Sequence, residues 1–93
     1  MKTYRNNMQI TGDILQVAQD GDRFGVPVTT ILRKANLPYQ RLNKFLDTLT
    51  GKGLIIKVTE DGKNAFIITE KGIKYLEQYK KFADIAGSFG LEL

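Results

Sequence analysis

The segment TTILRKANLPYQRLNKFLDTL, residues 29–49, contains two apolar stripes separated by a few residues. Its second half places apolar side chains three, four and seven residues after Leu42, the spacing of one face of an α-helix. The residues of that stripe are Leu42, Phe45, Leu46 and Leu49. The first half has a shorter inward face, formed by Ile31, Leu32 and Ala35. The segment therefore predicts two helices that lie close together in the chain.

The ends of these two helices are marked by residues that favour helix boundaries. Thr29 is expected to cap the first helix, because its hydroxyl accepts a hydrogen bond from a free backbone N–H. Asn36 is expected to end that helix in the left-handed conformation. Pro38 fits the first position of the second helix, and Gly51 and Gly53 are expected to stop it. The short link between the helices has the length of a helix-turn-helix pair.

Upstream of this pair, an amphipathic helix is predicted over about residues 5–20. Its apolar residues recur at i, i+4, i+7 and i+8, which places them on one face. These residues are Ile10, Ile14, Val17 and Ala18. Gly21 is the stop signal, and the sequence DGDRFG at residues 20–25 indicates a turn. Pro27 and Val28 are then expected to hold the chain extended.

Downstream of the pair, two segments rich in β-branched residues predict a β-hairpin. The predicted strands are residues 54–59 and 65–68. Asp61-Gly62 between them is a strong signal for a two-residue turn. This turn places Glu60 opposite Lys63, a favourable cross-strand charge pair. Any hairpin of this kind requires the two turn residues, so they carry no functional weight.

The last predicted helix begins at about Glu70, with Thr69 as its cap. Its apolar residues step by three, four and three from Leu76 to Ala86, the spacing of a coiled coil. Its start is expected to pack on the domain itself, whereas the aromatic remainder extends past the domain edge. Exposed aromatic stripes of that extent usually mark an interface. The residues expected to form a homodimer are Leu76, Tyr79, Phe82, Ala83, Ile85, Ala86 and Phe89.

Composition limits the possible functions of the chain. Its 93 residues give room for one domain. It contains no cysteine and no histidine, which excludes disulfides, Cys/His metal clusters, and Ser-His-Asp or Cys-His catalysis. The acidic residues form no recognisable catalytic pair, so we expect a non-enzyme without cofactor or metal. No apolar run suits a membrane span or a signal peptide, so a cytoplasmic location is expected.

The formal charge of +4 is unevenly distributed along the chain. Residues 29–57 contain six basic residues and one acid, Asp47, which gives 6 − 1 = +5 there and −1 for the remainder. The basic residues are Arg33, Lys34, Arg41, Lys44, Lys52 and Lys57. Positive charge concentrated in one third of a chain favours a polyanionic partner, and the predicted helix pair lies inside this region.

The order helix, helix, helix, hairpin, helix resembles a winged helix-turn-helix, and more closely the ArnR-like winged-helix family, which is mostly archaeal. The resemblance spans about residues 8–82. It is carried by Ile14-Leu15, TTILRKANL at residues 29–37, Leu42, Phe45-Leu46, Leu49, KGLI at residues 52–55 and TEKG at residues 69–72. The resemblance implies an α+β fold, mainly α, with a DNA-binding part at residues 1–69. Residues 70–93 would add a C-terminal dimerisation helix, as in the family's small chromatin-type proteins, within one continuous domain.

One position departs from the family pattern. The family usually has a serine where Pro38 stands, and that serine caps the third helix. Proline has no side chain that can cap, so the start of the helix is left open at this point. The orientation of Tyr39 and Gln40, which follow directly, is left open with it.

The residues themselves also indicate duplex DNA as the partner. A helix in the major groove needs donors and acceptors on its exposed face near its N-terminus. The third helix supplies Tyr39, Gln40, Arg41, Asn43 and Lys44. Arg41 suits guanine, and Gln40 or Asn43 suits adenine. Further contacts, mainly to the DNA backbone, are expected from Thr29, Thr30, Arg33, Lys34, Lys63 and Asn64.

Alternatives stay open both for the roles of individual residues and for the function of the whole protein. Solvation explains Asn43, Lys63 and Asn64 as well as DNA contact does, and Arg33 and Lys34 are either phosphate contacts or solvated charges. For the whole protein, a sequence-preferring transcriptional regulator is favoured. A low-specificity chromatin or nucleoid protein and a winged-helix protein-interaction module are the alternatives, since a fold does not fix a function.

Overall fold

The computed structural model describes residues 6–90. The elements are α1 (Asn7–Asp20), β1 (Val26–Pro27), α2 (Val28–Ala35), α3 (Tyr39–Gly51), β2 (Ile55–Glu60), β3 (Lys63–Ile68) and α4 (Glu70–Ser88). Over this range, four helices accompany a three-stranded antiparallel sheet with strand order β1-β3-β2. The predicted class, α+β and mainly α, is confirmed, as is the order of three helices, hairpin and final helix.

Helix α1 begins with a capping box formed by Asn6 and Gln9. The Asn6 Oδ1 atom accepts a hydrogen bond from the Gln9 N–H at 2.8 Å, and the Gln9 Oε1 atom accepts one from the Asn6 N–H at 2.8 Å. The reciprocal pair satisfies two backbone N–H groups at the start of the helix. The predicted start near residue 5 lies outside the described residues, and the predicted end at Asp20 is confirmed.

The start of α2 differs from the prediction because a short strand precedes it. Val26 and Pro27 form β1 and pair with β3, and α2 begins immediately at Val28. Pro27 is extended as predicted, whereas Val28 is already helical. Pro27 holds the N-cap position, so the prediction that Thr29 caps this helix is wrong. A two-residue strand is too short to show the alternation that predicts strands.

The turn between α2 and α3 depends on Asn36 and Pro38. Asn36 has φ 56° and ψ 53°, the left-handed conformation predicted for it. Pro38 holds the N-cap position rather than the predicted first helical position, and α3 begins at Tyr39. Since proline has no capping side chain, α3 starts without a side-chain cap hydrogen bond. The helix ends at Gly51, and Gly53 follows with φ 78°.

The hairpin of β2 and β3, named the wing below, has the predicted turn. Asp61 and Gly62 have φ values of 52° and 75°, and a type I′ turn requires positive values at both positions. Glu60 pairs with Lys63, as predicted. The strands reach one or two residues closer to the turn than predicted. Residues near the turn lack the β-branched side chains on which the prediction depended.

The two tetrapeptides KGLI and TEKG contact each other at one corner of the fold. The Thr69 Oγ1 atom donates a hydrogen bond to the Gly53 carbonyl at 2.6 Å. Thr69 also caps α4 as predicted, since its Oγ1 accepts a hydrogen bond from the Gly72 N–H at 3.0 Å. A Cβ atom at Gly72 would lie 2.2 Å from the Leu54 carbonyl oxygen. The close approach of α4 to this corner therefore requires glycine.

The core lies between the helices and one face of the sheet. Its largest fully buried side chains are Ile10, Ile14, Leu15, Ile31, Leu42, Leu46, Ile55 and Leu76. Gly12 of α1 lies against Tyr79 of α4, and a Cβ atom at Gly12 would be 2.6 Å from the tyrosine ring. Gly12 therefore allows α1 and α4 to pack closely. Burial raises the pKa of the Tyr79 hydroxyl above its ordinary value, and Asp13 and Tyr75 raise it further.

Candidate nucleic-acid interface

The N-terminal half of α3 presents the polar face that the sequence predicts. Tyr39, Gln40, Arg41 and Lys44 are exposed, and Asn43 is half-buried. The opposite face is buried in the core through Leu42, Leu46 and Leu49. The helix is therefore anchored by its apolar face, while its donors and acceptors are available to a partner.

A first groove lies between α3 and the wing, with a volume of about 330 Å³. Tyr39 and Asn43 line it from α3, and Lys57 and Asn64 line it from the wing. The fold thus brings Tyr39, Asn43 and Asn64 together from separate elements. All three were predicted to contact DNA.

A second groove lies on the other side of α3, between α1, α3 and α4, and has a volume of about 770 Å³. Arg41 and Lys44 line it together with Lys52. The Arg41 guanidinium carbon is 6.0 Å from the centroid of the Phe45 ring, a distance at which the ring attracts a cation. The two residues with the strongest expectation of DNA contact therefore lie on the side of α3 away from the wing.

The predicted residues near the wing tip, Lys63 and Asn64, are both exposed. The Asn64 Oδ1 atom accepts a hydrogen bond from Thr59 Oγ1 at 2.9 Å across the hairpin. This bond fixes the Asn64 side chain and directs its donor capacity to the amide NH₂ group. A phosphate or a base edge is a suitable acceptor for that group.

The predicted residues of α2 occupy opposite ends of that helix. Thr29 and Thr30 lie in its first turn, where backbone N–H groups lack helical acceptors and favour an anion. Arg33 and Lys34 lie in its last turn and are exposed. Cations at this end stabilise the helix dipole. Arg33 and Lys34 therefore have a structural role that does not require DNA.

Three further charged residues line the two grooves, although they were not among the predicted site residues. Lys57 and Asp47 line the groove beside the wing, and Lys52 lines the other groove. The position of Lys57 beside the predicted site residue Asn64 could have been predicted from the hairpin register. Lys57 pairs with Phe66, and residues two apart on a strand share a face, so Lys57 lies on the same face as Asn64. Lys52 follows α3, and only tertiary packing places it at its groove.

A family model described as winged helix-turn-helix matches residues 4–87. The chain belongs to the winged helix-turn-helix family. The match spans all of the residues that carry the resemblance seen in the sequence. A search of the curated proteins found no match.

Solved structures show the same winged-helix fold. The chain is similar to Sso10a-2, described as a DNA-binding protein from Sulfolobus solfataricus, with 27% identity and a TM-score of 0.82, covering 91% of this chain and 85% of that one. It is also similar to MepR, described as a transcription regulator of a Staphylococcus aureus multidrug efflux pump, with 18% identity and a TM-score of 0.74.

The MepR match covers 86% of this chain and 60% of that one. A MepR variant bound to an oligodeoxyribonucleotide gives 18% identity, a TM-score of 0.72 and the same coverage. At these identities the MepR structures show the fold alone. This winged-helix chain spans about 60% of their length.

Some apolar residues of the α4 stripe are buried in this winged-helix fold, and others are exposed. Leu76 is 2% exposed and belongs to the core, and Ala86 is 4% exposed. These two residues are covered by the chain itself, and their part in a homodimer contact stays a prediction. Tyr79 packs against α1, and Ala83 is half-buried. The large side chains of the stripe that stay exposed are Phe82 (47%), Ile85 (56%) and Phe89 (76%).

The described residues also bear on membrane spans and metal sites. Within residues 6–90, every helix is too short or too polar to cross a bilayer. The same residues contain no group of three or more acidic, histidine or cysteine side chains suited to holding a metal ion.

Proposed function

We propose that this chain is a sequence-preferring, duplex DNA-binding transcriptional regulator that acts as a homodimer, with α3 in the major groove and the wing on the adjacent backbone. The observation that carries the proposal is the N-terminal half of α3, whose exposed donors and acceptors project from a helix anchored in the core. The fold shared with Sso10a-2, a DNA-binding protein, and with a MepR variant bound to an oligodeoxyribonucleotide supports the proposal.

The residues of α3 have distinct roles in this arrangement. Arg41 pairs with guanine and Gln40 or Asn43 pairs with adenine, because these side chains match the major-groove edges of those bases. Lys44 contacts a phosphate, which fixes the position of the helix without reading sequence. The remaining contacts, mainly to the backbone, come from Thr29, Thr30, Arg33, Lys34, Tyr39, Lys57, Lys63 and Asn64.

Homodimerisation is proposed through the exposed end of α4. Phe82, Ile85 and Phe89 are large apolar side chains outside the core, and exposed apolar patches of this kind mark interaction sites. A two-fold dimer presents two copies of α3, as paired half-sites on DNA require. Residues 1–69 then form the DNA-binding part and residues 70–93 supply the dimerisation element, within one continuous domain.

We further propose that the chain belongs to the ArnR-like branch of the family. The protein would act in the cytoplasm of an archaeon, in association with the nucleoid. The similarity to Sso10a-2 from Sulfolobus solfataricus supports this assignment. A low-specificity chromatin protein is a variant of the same proposal. It uses the same surface but depends on phosphate contacts more than on base contacts. Under this proposal, neither the regulator nor the chromatin protein is an enzyme.

A protein-interaction module is the second candidate function. It is favoured by two large apolar side chains that are exposed away from α4, Phe24 at 69% and Ile56 at 51%. Exposed apolar side chains are typical of a protein contact where they form one patch. Under this alternative the chain does not bind duplex DNA.

The proposal is tested by fluorescence-anisotropy titration of several unrelated labelled duplexes of about 30 base pairs. The double variant Arg41→Ala, Lys44→Ala is expected to bind at least about tenfold more weakly, because a hydrogen bond to a charged group contributes about 1.5–3 kcal/mol. The matched control is Lys74→Ala, Lys81→Ala, which removes the same charge from exposed positions of α4.

Each outcome of this titration has a definite meaning. Unchanged affinity in the Arg41→Ala, Lys44→Ala variant contradicts the placement of α3 on DNA. Failure of the wild type to bind any duplex at low salt contradicts the proposal and favours the interaction module. Affinities that differ between duplexes support a regulator, whereas equal affinities with steep salt dependence support the chromatin variant.

A further inference from the structure

The outer face of the wing is apolar, and the described chain leaves part of it open. Ile56 pairs with Ile67 across the hairpin, and paired residues of an antiparallel hairpin lie on the same face. Val58 pairs with Ala65 two residues further along, so this second pair lies on that face as well. The opposite face carries Phe66, which is buried in the core. Ile56 is 51% exposed, so its apolar surface is available to a partner.

The turn that precedes β1 holds Phe24 beside this outer face. The Asp22 Oδ1 atom accepts a hydrogen bond from the Phe24 N–H at 2.9 Å, and the Asp22 carbonyl accepts one from the Gly25 N–H at 3.1 Å. Gly25 has φ 97°, and a Cβ atom there would lie 3.1 Å from the Cβ atom of Ala65. The turn is therefore fixed against β3, and Phe24 is held in a defined position while 69% exposed.

Phe24 and Ile56 belong to one continuous apolar surface. Phe24 lines a depression of about 290 Å³ together with Pro27, Val58 and Ala65. Val58 is two residues from Ile56 on the same face of β2, and this spacing connects the depression to Ile56. We name this surface the outer patch, and its residues are Phe24, Pro27, Ile56, Val58, Ala65 and Ile67. An exposed aromatic ring and an apolar depression therefore lie next to each other on the same patch.

Charged residues of both signs border the outer patch. The Arg23 guanidinium carbon lies 5.1 Å from the centroid of the Phe24 ring. Glu60, Asp61 and Lys63 line the depression, and Lys63 is also a proposed DNA contact. These two bases and two acids sum to a formal charge of 2 − 2 = 0, so the rim favours neither a polyanion nor a polycation. A second copy related by a two-fold axis presents the same balanced rim, so that acids of one copy can face bases of the other.

We propose that the outer patch binds the outer patch of a second copy of this chain, in a two-fold contact. Phe24 of each copy enters the depression of the other copy, since the ring and the depression are neighbours on one surface. An aromatic side chain in an apolar pocket is a common anchor of protein contacts. A stable interface has about 20–30 residues on each side, so a patch of this size forms a weak contact. The contact is independent of the proposed function, because it uses neither α3 nor the exposed end of α4.

The test uses the full chain with the substitutions Phe82→Ser and Ile85→Ser, without DNA, so that the proposed α4 contact and DNA binding do not contribute. Backbone amide NMR signals of residues 23–27, 56–58 and 65–67 are expected to shift as the protein concentration is raised to about 1 mM. Sedimentation equilibrium over the same range is expected to show monomers in equilibrium with dimers. A chain that stays monomeric, or shifts centred on another surface, would overturn the proposal.

Phe24→Ser removes the proposed anchor from the same background. The dimer dissociation constant is expected to rise at least about tenfold, because the variant loses the burial of a phenylalanine side chain. Phe89→Ser is the matched control, since it removes a phenylalanine that is 76% exposed at the end of α4, and it is expected to change nothing. An unchanged constant in Phe24→Ser contradicts the contact. An equal rise in Phe89→Ser would show that the copies associate through α4 instead.

Arg23→Glu tests the charged rim. It changes the formal charge of the rim from zero to −2 on each copy, so facing rims repel each other and the association is expected to weaken several-fold. Lys74→Glu makes the same change of charge at an exposed position of α4 and is expected to leave the association unchanged. Equal effects of the two variants, or no effect of Arg23→Glu, would contradict a contact in which the two rims face each other.

Discussion

Helix α4 is one continuous helix, yet its two halves have different surroundings. The first half, residues 70–79, packs on its own domain through Gly72 and Leu76. The second half, residues 80–88, leaves large apolar side chains such as Phe82 exposed. The apolar spacing continues across both halves without a break.

The difference shows that helical apolar spacing identifies a face that must be covered, but not what covers it. The core of the same chain and the helix of a second copy bury such a face equally well. In the proposed homodimer, the first half of α4 serves folding and the second half serves association. The substitutions below separate the two roles, from the largest expected effect to the smallest.

Leu76→Ala is expected to have the largest effect. Leu76 is fully enclosed by the core, so its truncation leaves a cavity and is expected to lower the free energy of unfolding by about 2–5 kcal/mol. The measurement is urea denaturation at a concentration low enough to keep the chain monomeric. Ile85→Ala in the second half is the control, with an expected change within about 0.5 kcal/mol. Similar decreases for the two variants would remove the distinction between the halves.

Gly72→Ala tests the close packing at the start of α4. The new Cβ atom would lie 2.2 Å from the Leu54 carbonyl oxygen, a backbone atom that cannot move away freely. We expect the free energy of unfolding to fall by about 1–3 kcal/mol, the usual cost of overpacking. Thermal unfolding followed by circular dichroism measures it. An unchanged or higher melting temperature would show that α4 is not held against this corner.

The double variant Phe82→Ser, Ile85→Ser tests association. Burial of each of these side chains lowers the free energy of the dimer by about 1.5–3 kcal/mol. The dimer dissociation constant of the variant is therefore expected to rise at least about tenfold. Sedimentation equilibrium provides the measurement. The control Glu77→Ser, Lys80→Ser changes two exposed polar positions of the same helix. If the apolar variant associates as tightly as the wild type, α4 does not form the interface.

Gly87→Ala is expected to have the smallest effect, opposite in sign to Gly72→Ala. A Cβ atom at Gly87 would meet no atom within 4 Å, and the residue is helical. Alanine favours a helix over glycine by up to about 1 kcal/mol, so the variant is expected to be slightly more stable as a monomer. The same denaturation experiment measures the change, and a clear decrease in stability would show that the second half is packed after all.

Elements with a clear period or a strong turn signal were predictable from the sequence. The apolar face of α3, the Asp61-Gly62 turn and the Thr69 cap of α4 are all as predicted. Strand β1 was missed because two residues show no alternation. The predictions that Thr29 caps α2 and that Pro38 is the first residue of α3 were wrong, because the pairing of β1 and the rigid proline ring fix where the helices begin.

The candidate site was predictable in residue type but not in arrangement. Helical spacing was enough to show that Gln40, Arg41 and Lys44 share the exposed side of α3. The separation of this surface into two grooves depends on where the wing, α1 and α4 pack around α3. Lys52 belongs to the site for that reason alone. Sequence spacing within one helix contains no information on its neighbours in space.

The measurement that tests the central claim most directly is the salt dependence of DNA affinity. For the wild type, the logarithm of the association constant is expected to fall linearly with the logarithm of salt concentration, because binding to phosphates releases counterions. Arg41→Ala, Lys44→Ala is expected to make the slope shallower by about one for each phosphate that the variant no longer neutralises, while Lys74→Ala, Lys81→Ala keeps the wild-type slope. Equal slopes for the two double variants, or a wild-type affinity insensitive to salt, would contradict the claim that α3 binds duplex DNA.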